Sequence, residues 1–96
     1  MSKNEKRKMR VYGSDGKITE REVDFYNFHK DLMSAVGGYA QRIKPPPSGY
    51  LNPKGKMAPK GARFYINENG LNLRLPTNPY LPVFVGNVVM VFKEAA

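Results

Sequence analysis

Residues 62–75, ARFYINENGLNLRL, hold the strongest strand signal in this sequence. Ala62, Phe64 and Ile66 alternate with Arg63 and Tyr65, and Leu71, Leu73 and Leu75 alternate with Asn72 and Arg74. Period-2 apolar spacing marks a strand with one buried face, and a break ending in Asn-Gly marks a turn. The stretch is expected to be a β-hairpin. Phe64, Ile66, Leu71 and Leu73 then face the core, while Arg63, Tyr65, Asn72 and Arg74 face out.

The flanking segments supply the remaining elements. Upstream, Met9–Tyr12 and Lys17–Val23 flank Gly13-Ser14-Asp15-Gly16, a turn sequence, and form a polar hairpin suited to a sheet edge. Asp24 is placed to cap a helix running to about Val36, with Phe25, Phe28, Leu32 and Val36 at three- and four-residue spacing. Gly37 supplies the left-handed residue that ends it. Tyr39–Lys44 reads as a strand stopped by Pro45-Pro46-Pro47. Downstream, Pro76–Pro82 is a stiff connection and Val83–Phe92 a last strand bent at Gly86. That strand is apolar on both faces. Either it is central or a second copy covers it, so a homo-oligomer is expected.

Together these imply an α+β fold: a small, largely antiparallel sheet of four to six strands with one helix (about 24–36) on one face. Val89 and Val91 complete the core. Residues 1–8 read as a flexible basic tail, 9–92 as one domain, and 93–96 as a tail. The Pro- and Gly-rich stretch 45–61 is longer than a simple connection needs and is expected to extend beyond the sheet edge.

The chain has 96 residues, a formal net charge of +8 and no Cys. That length allows one modest core and excludes a disulfide framework or thiolate metal site. Lys3–Arg10 is basic, but no apolar stretch follows to make a signal peptide, and no apolar run is long enough to span a membrane. A cytoplasmic location is expected. The basic surplus is uneven: residues 1–10 carry a net +4 and residues 42–63 a net +6, with no acid from Arg42 to Ala62. A surplus confined in this way points to an anionic partner.

Catalytic chemistry finds no constellation. His29 is the only histidine and has no second ligand type beside it. Glu20 and Glu22 suit a solvated edge strand. The four Ser residues lack a nucleophile's context, and no Gly-rich loop opens a helix after a strand. A non-enzymatic protein with no cofactor or metal is expected. The candidate site is instead basic and aromatic. Arg42 and Lys44 share a face of one strand, Arg63 and Tyr65 of the next, and Arg74 lies on the one after. If the helix covers the apolar face, these five project together from the open face. The loop adds Tyr50, Lys54, Lys56 and Lys60. Cations track phosphates and a Tyr ring stacks on a base, so nucleic acid or a nucleotide-type anion is the expected ligand. The alternative is a protein-interaction module that docks on another protein through Tyr50, Leu51, Met57, Tyr80 and Leu81.

Four short motifs occur in a recognisable order: Val36-Gly37-Gly38-Tyr39, Ile66-Asn67-Glu68-Asn69-Gly70, LRLPTN at 73–78 and GNVVMVF at 86–92. Their order resembles that of a family of short domains encoded by bacteriophages, plasmids and other bacterial mobile elements. The resemblance covers residues 9–92 and departs at 45–61, where the family joins its two central strands more directly. It implies a helix packed on a small sheet and a phage-like home in a bacterial cytoplasm. It implies no activity. In such a home, host nucleic acid or a nucleotide immune signal becomes a sensible target, and the docking alternative takes a host or phage protein, for example one of host defence.

Overall fold

The computed structural model describes residues 7–24, 26–44 and 61–93. Five strands and one helix occur among them: β1 (Arg7–Tyr12), β2 (Ile18–Val23), α1 (Phe28–Val36), β3 (Ala40–Ile43), β4 (Arg63–Asn67) and β5 (Val88–Phe92). The strands form one sheet in the order β2-β1-β5-β4-β3, with every neighbouring pair antiparallel. The α+β class and the single helix on an antiparallel sheet are as expected. Phe25 and the stretch 45–60 lie outside the described residues, and with them Tyr50, Leu51, Lys54, Lys56, Met57 and Lys60.

The opening hairpin forms, with Arg10 opposite Glu20. Its turn closes through the Gly13 N–H donating to the Lys17 carbonyl at 2.8 Å and the Lys17 N–H donating to the Asp15 carboxylate at 2.9 Å. β2 is the edge strand; β1 is internal, because β5 pairs with its other side. Arg7 and Lys8, expected in a tail, belong to β1.

The hairpin at 62–75 does not form. Only its first half is a strand. β4 already has β3 on one edge and β5 on the other, so no edge is left for residues 71–75 to pair with. After Asn67 the backbone enters successive turns, in which the N–H groups of Leu73 and Leu75 donate to the carbonyls of Asn69 and Gly70. Asn67 starts this course: its side-chain oxygen accepts from the Asn69 N–H at 2.8 Å. Leu71 and Leu73 are therefore 81% and 57% exposed, not core.

The helix starts four residues later than expected. The Asp24 carboxylate accepts from the backbone N–H of Asn27 at 2.9 Å, but this closes a turn ahead of α1. At the other end Gly37 adopts φ 77°, and its N–H donates to the Met33 carbonyl. Two asparagines complete the C-terminus. The Asn87 side-chain amide donates to the Ala35 carbonyl and that of Asn67 to the Val36 carbonyl, each at 2.9 Å. The last carbonyls of a helix have no partner within it, so these bonds fix where α1 ends over the sheet.

The core lies on both faces of the sheet. On one, Leu32 and Val36 of α1 pack with Met9, Val23, Tyr65, Val89 and Val91. On the other, Tyr12, Phe64, Val88, Met90 and Phe92 are covered by Leu81, with Tyr80 and Phe84 beside it. Phe64 and Ile66 thus face away from the helix, opposite to the expected side. The connection after β4 is the second cover. Fully buried Asn78 anchors it, and its own N–H donates to the Phe84 carbonyl at 2.9 Å. β5 is apolar on both faces because its own chain covers both, which removes the reason for expecting a second copy. Among the described residues no helix is long and apolar enough to cross a membrane.

Candidate functional site

Asn67 ends β4 and Asn87 precedes β5, so the C-terminus of α1 is tied to that end of the sheet. A nine-residue helix is about 13 Å long, the rise of about four strand residues. α1 therefore reaches back along β4 only as far as Tyr65 and Arg63. Cross-strand pairing places Val11, Val89, Tyr65 and Arg42 in one row on this side of the sheet, and Arg21, Met9, Val91 and Arg63 in the next.

Where the helix begins, the two layers part to leave a hollow of about 540 Å³. Val91 and Tyr65 come from the sheet, Tyr26, Phe28 and His29 from the start of the helix, and Arg7 and Arg63 from β1 and β4. The Phe28 ring meets Tyr65 edge to face at 6.2 Å and His29 at 5.5 Å. Such contacts hold the rings at fixed angles. Tyr65 is 9% exposed, so little of it remains in contact with solvent. Among the described residues the lining holds two guanidinium groups and no carboxylate.

Five other charged residues form ion pairs. On the far face of the sheet Arg10 donates to the Glu20 carboxylate at 2.8 Å and lies over the Phe92 ring at 5.2 Å. Lys8 reaches the same carboxylate at 3.5 Å. Burial pushes the Glu20 carboxyl up, but the hydrogen bond and charge of Arg10, with Lys8 behind them, hold it below the usual carboxylate range. The hydrogen bond to Tyr12 leads the influences that raise Arg10. Near the hollow, Arg21 pairs with Asp31 of α1 at 3.5 Å. Among the described residues no group of His, Asp and Glu is arranged to hold a metal ion.

Of the five sheet residues proposed for anion binding, the fold brings four to one side. Arg42 is the cross-strand partner of Tyr65, Arg63 lies two residues before it, and Lys44 continues the alternation of Arg42. The face they share is the helix side, not an open face, because neither face of this sheet is open. Arg74 is not with them. It lies in the turns after β4 with φ 53°, exposed and away from the hollow. Tyr80 and Leu81, expected as exposed anchors, pack on the far face instead, Leu81 with no exposure at all.

Arg7, Tyr26, Phe28 and His29 were not legible as site residues. Phe28 reads as core and His29 as a helix-border residue, because their spacing describes the helix and not the gap where it stops. The one available signal was Tyr26-Asn27-Phe28-His29, three rings within four residues beside an expected helix start. No protein-family model, curated protein or solved structure matches the chain.

Proposed function

We propose that this protein is a small non-enzymatic binding module. It holds a nucleotide-type anion, free or within a nucleic acid, in the hollow at the start of α1. The observation that carries this is the lining: two arginines and a set of rings around an apolar floor, with no carboxylate among the described residues that line it. A guanidinium fork grips a phosphate through two parallel bonds, and a ring gives a base a surface to stack on. A volume of about 540 Å³ is in the range of small-ligand sites. The order of the VGGY, INENG and GNVVMVF motifs supports a phage or mobile-element origin. With that origin, a host nucleic acid or a nucleotide defence signal in a bacterial cytoplasm is the target.

Equilibrium binding to single-stranded DNA, RNA and cyclic nucleotides at two salt concentrations tests the proposal. Arg63→Ala should weaken binding about tenfold or more, the worth of one charge-assisted hydrogen bond. Arg74→Ala, outside the hollow, should leave it unchanged. A wild-type protein that binds none of these at low salt would remove the proposal.

Docking on a protein has one observation in its favour. Leu71 and Val83, 81% and 75% exposed, border a shallow depression of about 270 Å³ on the far side of the sheet. Apolar contacts there would resist added salt, whereas phosphate contacts weaken steeply with it.

A further inference from the structure

The hollow does not stand alone on its face. Arg63 on β4 borders it, Arg42 lies opposite Tyr65 on β3, and Arg7 on β1 closes its other side. These cations stand on strands β3, β4 and β1, with β5 between the last two. Across the strands they are three steps of about 4.8 Å, about 14 Å, apart, and each lies two residues along the strands from the next, so the row runs diagonally. Successive phosphates of a stacked single strand are about 3.4 Å apart along its axis, so a row that wide spans several of them. One nucleotide cannot reach from end to end. The ion pairs described for the sheet use Lys8, Arg10 and Arg21, and none of them draws on Arg42, Lys44 or Arg63.

The rings lie in a recess, not on a platform. Tyr65 is nearly buried and Phe28 half-buried. A base reaches them only after leaving its stack. In a duplex that means unpairing, which costs a few kcal/mol, whereas a single strand is spared it.

We propose that the ligand is a single-stranded nucleic acid running along this diagonal, past the start of α1. One unstacked base enters the hollow against Phe28 and Tyr65, and the flanking phosphates rest on Arg63, Arg42 and Lys44. This rests on the anion-binding role proposed above for the same hollow and narrows its ligand from nucleotide to strand.

The test uses four ligands and fluorescence anisotropy: a thymidine octamer, an octamer of abasic deoxyribose phosphates, a duplex containing the thymidine tract, and thymidine monophosphate as competitor. Thymidine tracts stack weakly on themselves and leave a base free to enter. The thymidine octamer should bind at least about tenfold tighter than the abasic octamer or the duplex, as one stacked base implies. The monophosphate should compete about a hundredfold more weakly or worse. Arg42→Ala and Lys44→Ala should each lower the salt slope for the octamer by about 0.7 and leave the monophosphate unaffected. Phe28→Leu keeps apolar volume but removes the ring. It should bring the thymidine octamer down to the abasic level, with a retained cooperative thermal transition showing that the fold survives. If the abasic and thymidine octamers bind the wild type equally, base capture is overturned without recourse to any variant. If the monophosphate matches the octamer and Arg42→Ala is silent, the strand is overturned while the nucleotide site stands. If nothing anionic binds, both proposals fall.

Discussion

The side-chain amide of Asn78 donates to the backbone carbonyl of Tyr12, 66 positions earlier in the chain, at 2.8 Å. The same amide donates to the Gly86 carbonyl at 2.9 Å, and the Asn78 side-chain oxygen accepts from the N–H groups of Tyr80 and Leu81. One buried side chain therefore joins β1, the approach to β5 and the cover over the far face. Asn78→Ala strands four backbone groups, and each buried one left unpaired costs about 1–3 kcal/mol. A loss of about 3 kcal/mol or more is expected, a large share of the stability of a small domain. Asn78→Asp keeps the acceptor but sets a carboxylate against two carbonyls, and should not rescue the fold. Urea titration checks this: the midpoint should fall with an unchanged m value.

Leu73 and Phe64 separate the observed fold from a 62–75 hairpin. In the hairpin both are core. In the structure Phe64 has no exposure and Leu73 has more than half of its surface in water. Phe64→Ala should cost about 3–5 kcal/mol, and Leu73→Ala should stay within about 0.5 kcal/mol. Comparable losses at the two positions would restore the hairpin.

Gly86 is held by two requirements. Its φ is 75°, and a Cβ there would come within 2.7 Å of the Leu75 side chain. Gly86→Ala should therefore destabilise by more than about 1 kcal/mol. Adding Leu75→Ala relieves the clash but not the backbone strain, so the pair should show partial rescue in a double-mutant cycle of thermal melts.

Glu20 supplies a pH-dependent contribution. Its carboxyl titrates lower when folded than when unfolded. The carboxylate thus stabilises the fold above its unfolded pKa, and that contribution is lost as pH falls through the folded value. Glu20→Gln should lower stability at neutral pH and converge with wild type in acid. The Glu20 side chain is 35% exposed, so the difference should stay below about 1 kcal/mol and shrink with salt. A Glu20→Gln penalty that persists undiminished in acid would mean that the charge is not its source.

Much of the architecture was legible because it is local. The β1–β2 hairpin, the apolar spacing of Phe28, Leu32 and Val36, and the Gly37 stop each depend on a few neighbouring residues. Errors came where distant segments compete. Asn69-Gly70 looks like a hairpin turn, but β3 and β5 occupy both edges of β4, and no local pattern reports that. The alternation in β4 is real but does not say which side meets the helix, because both faces are buried and Tyr65 is as much a core residue as Phe64. The asparagines illustrate the same limit. Asn67, Asn78 and Asn87 lie in stretches that read as a break, a connection and a bend, yet each uses its side chain to hold a carbonyl far away in the chain. Arg63 and Tyr65 were recognisable as a basic-aromatic pair. The hollow beside them was not, since it arises from where a short helix stops.

β5 lies between β1 and β4, although it is the last of the five strands in chain order. Before it docks, β2–β1 is one ribbon and β3–β4 another, with no strand pairing between them among the described residues. On a ribosome the central strand is therefore the last to emerge. Neither ribbon has a complete core of its own, and two-stranded ribbons alone are marginally stable in water. The sheet therefore cannot be completed until β5 is made. Its two halves wait, each with an unpaired inner edge, for the segment that turns them into one molecule, and that interval is when the nascent chain is most open to a chaperone or to mispairing with a neighbour.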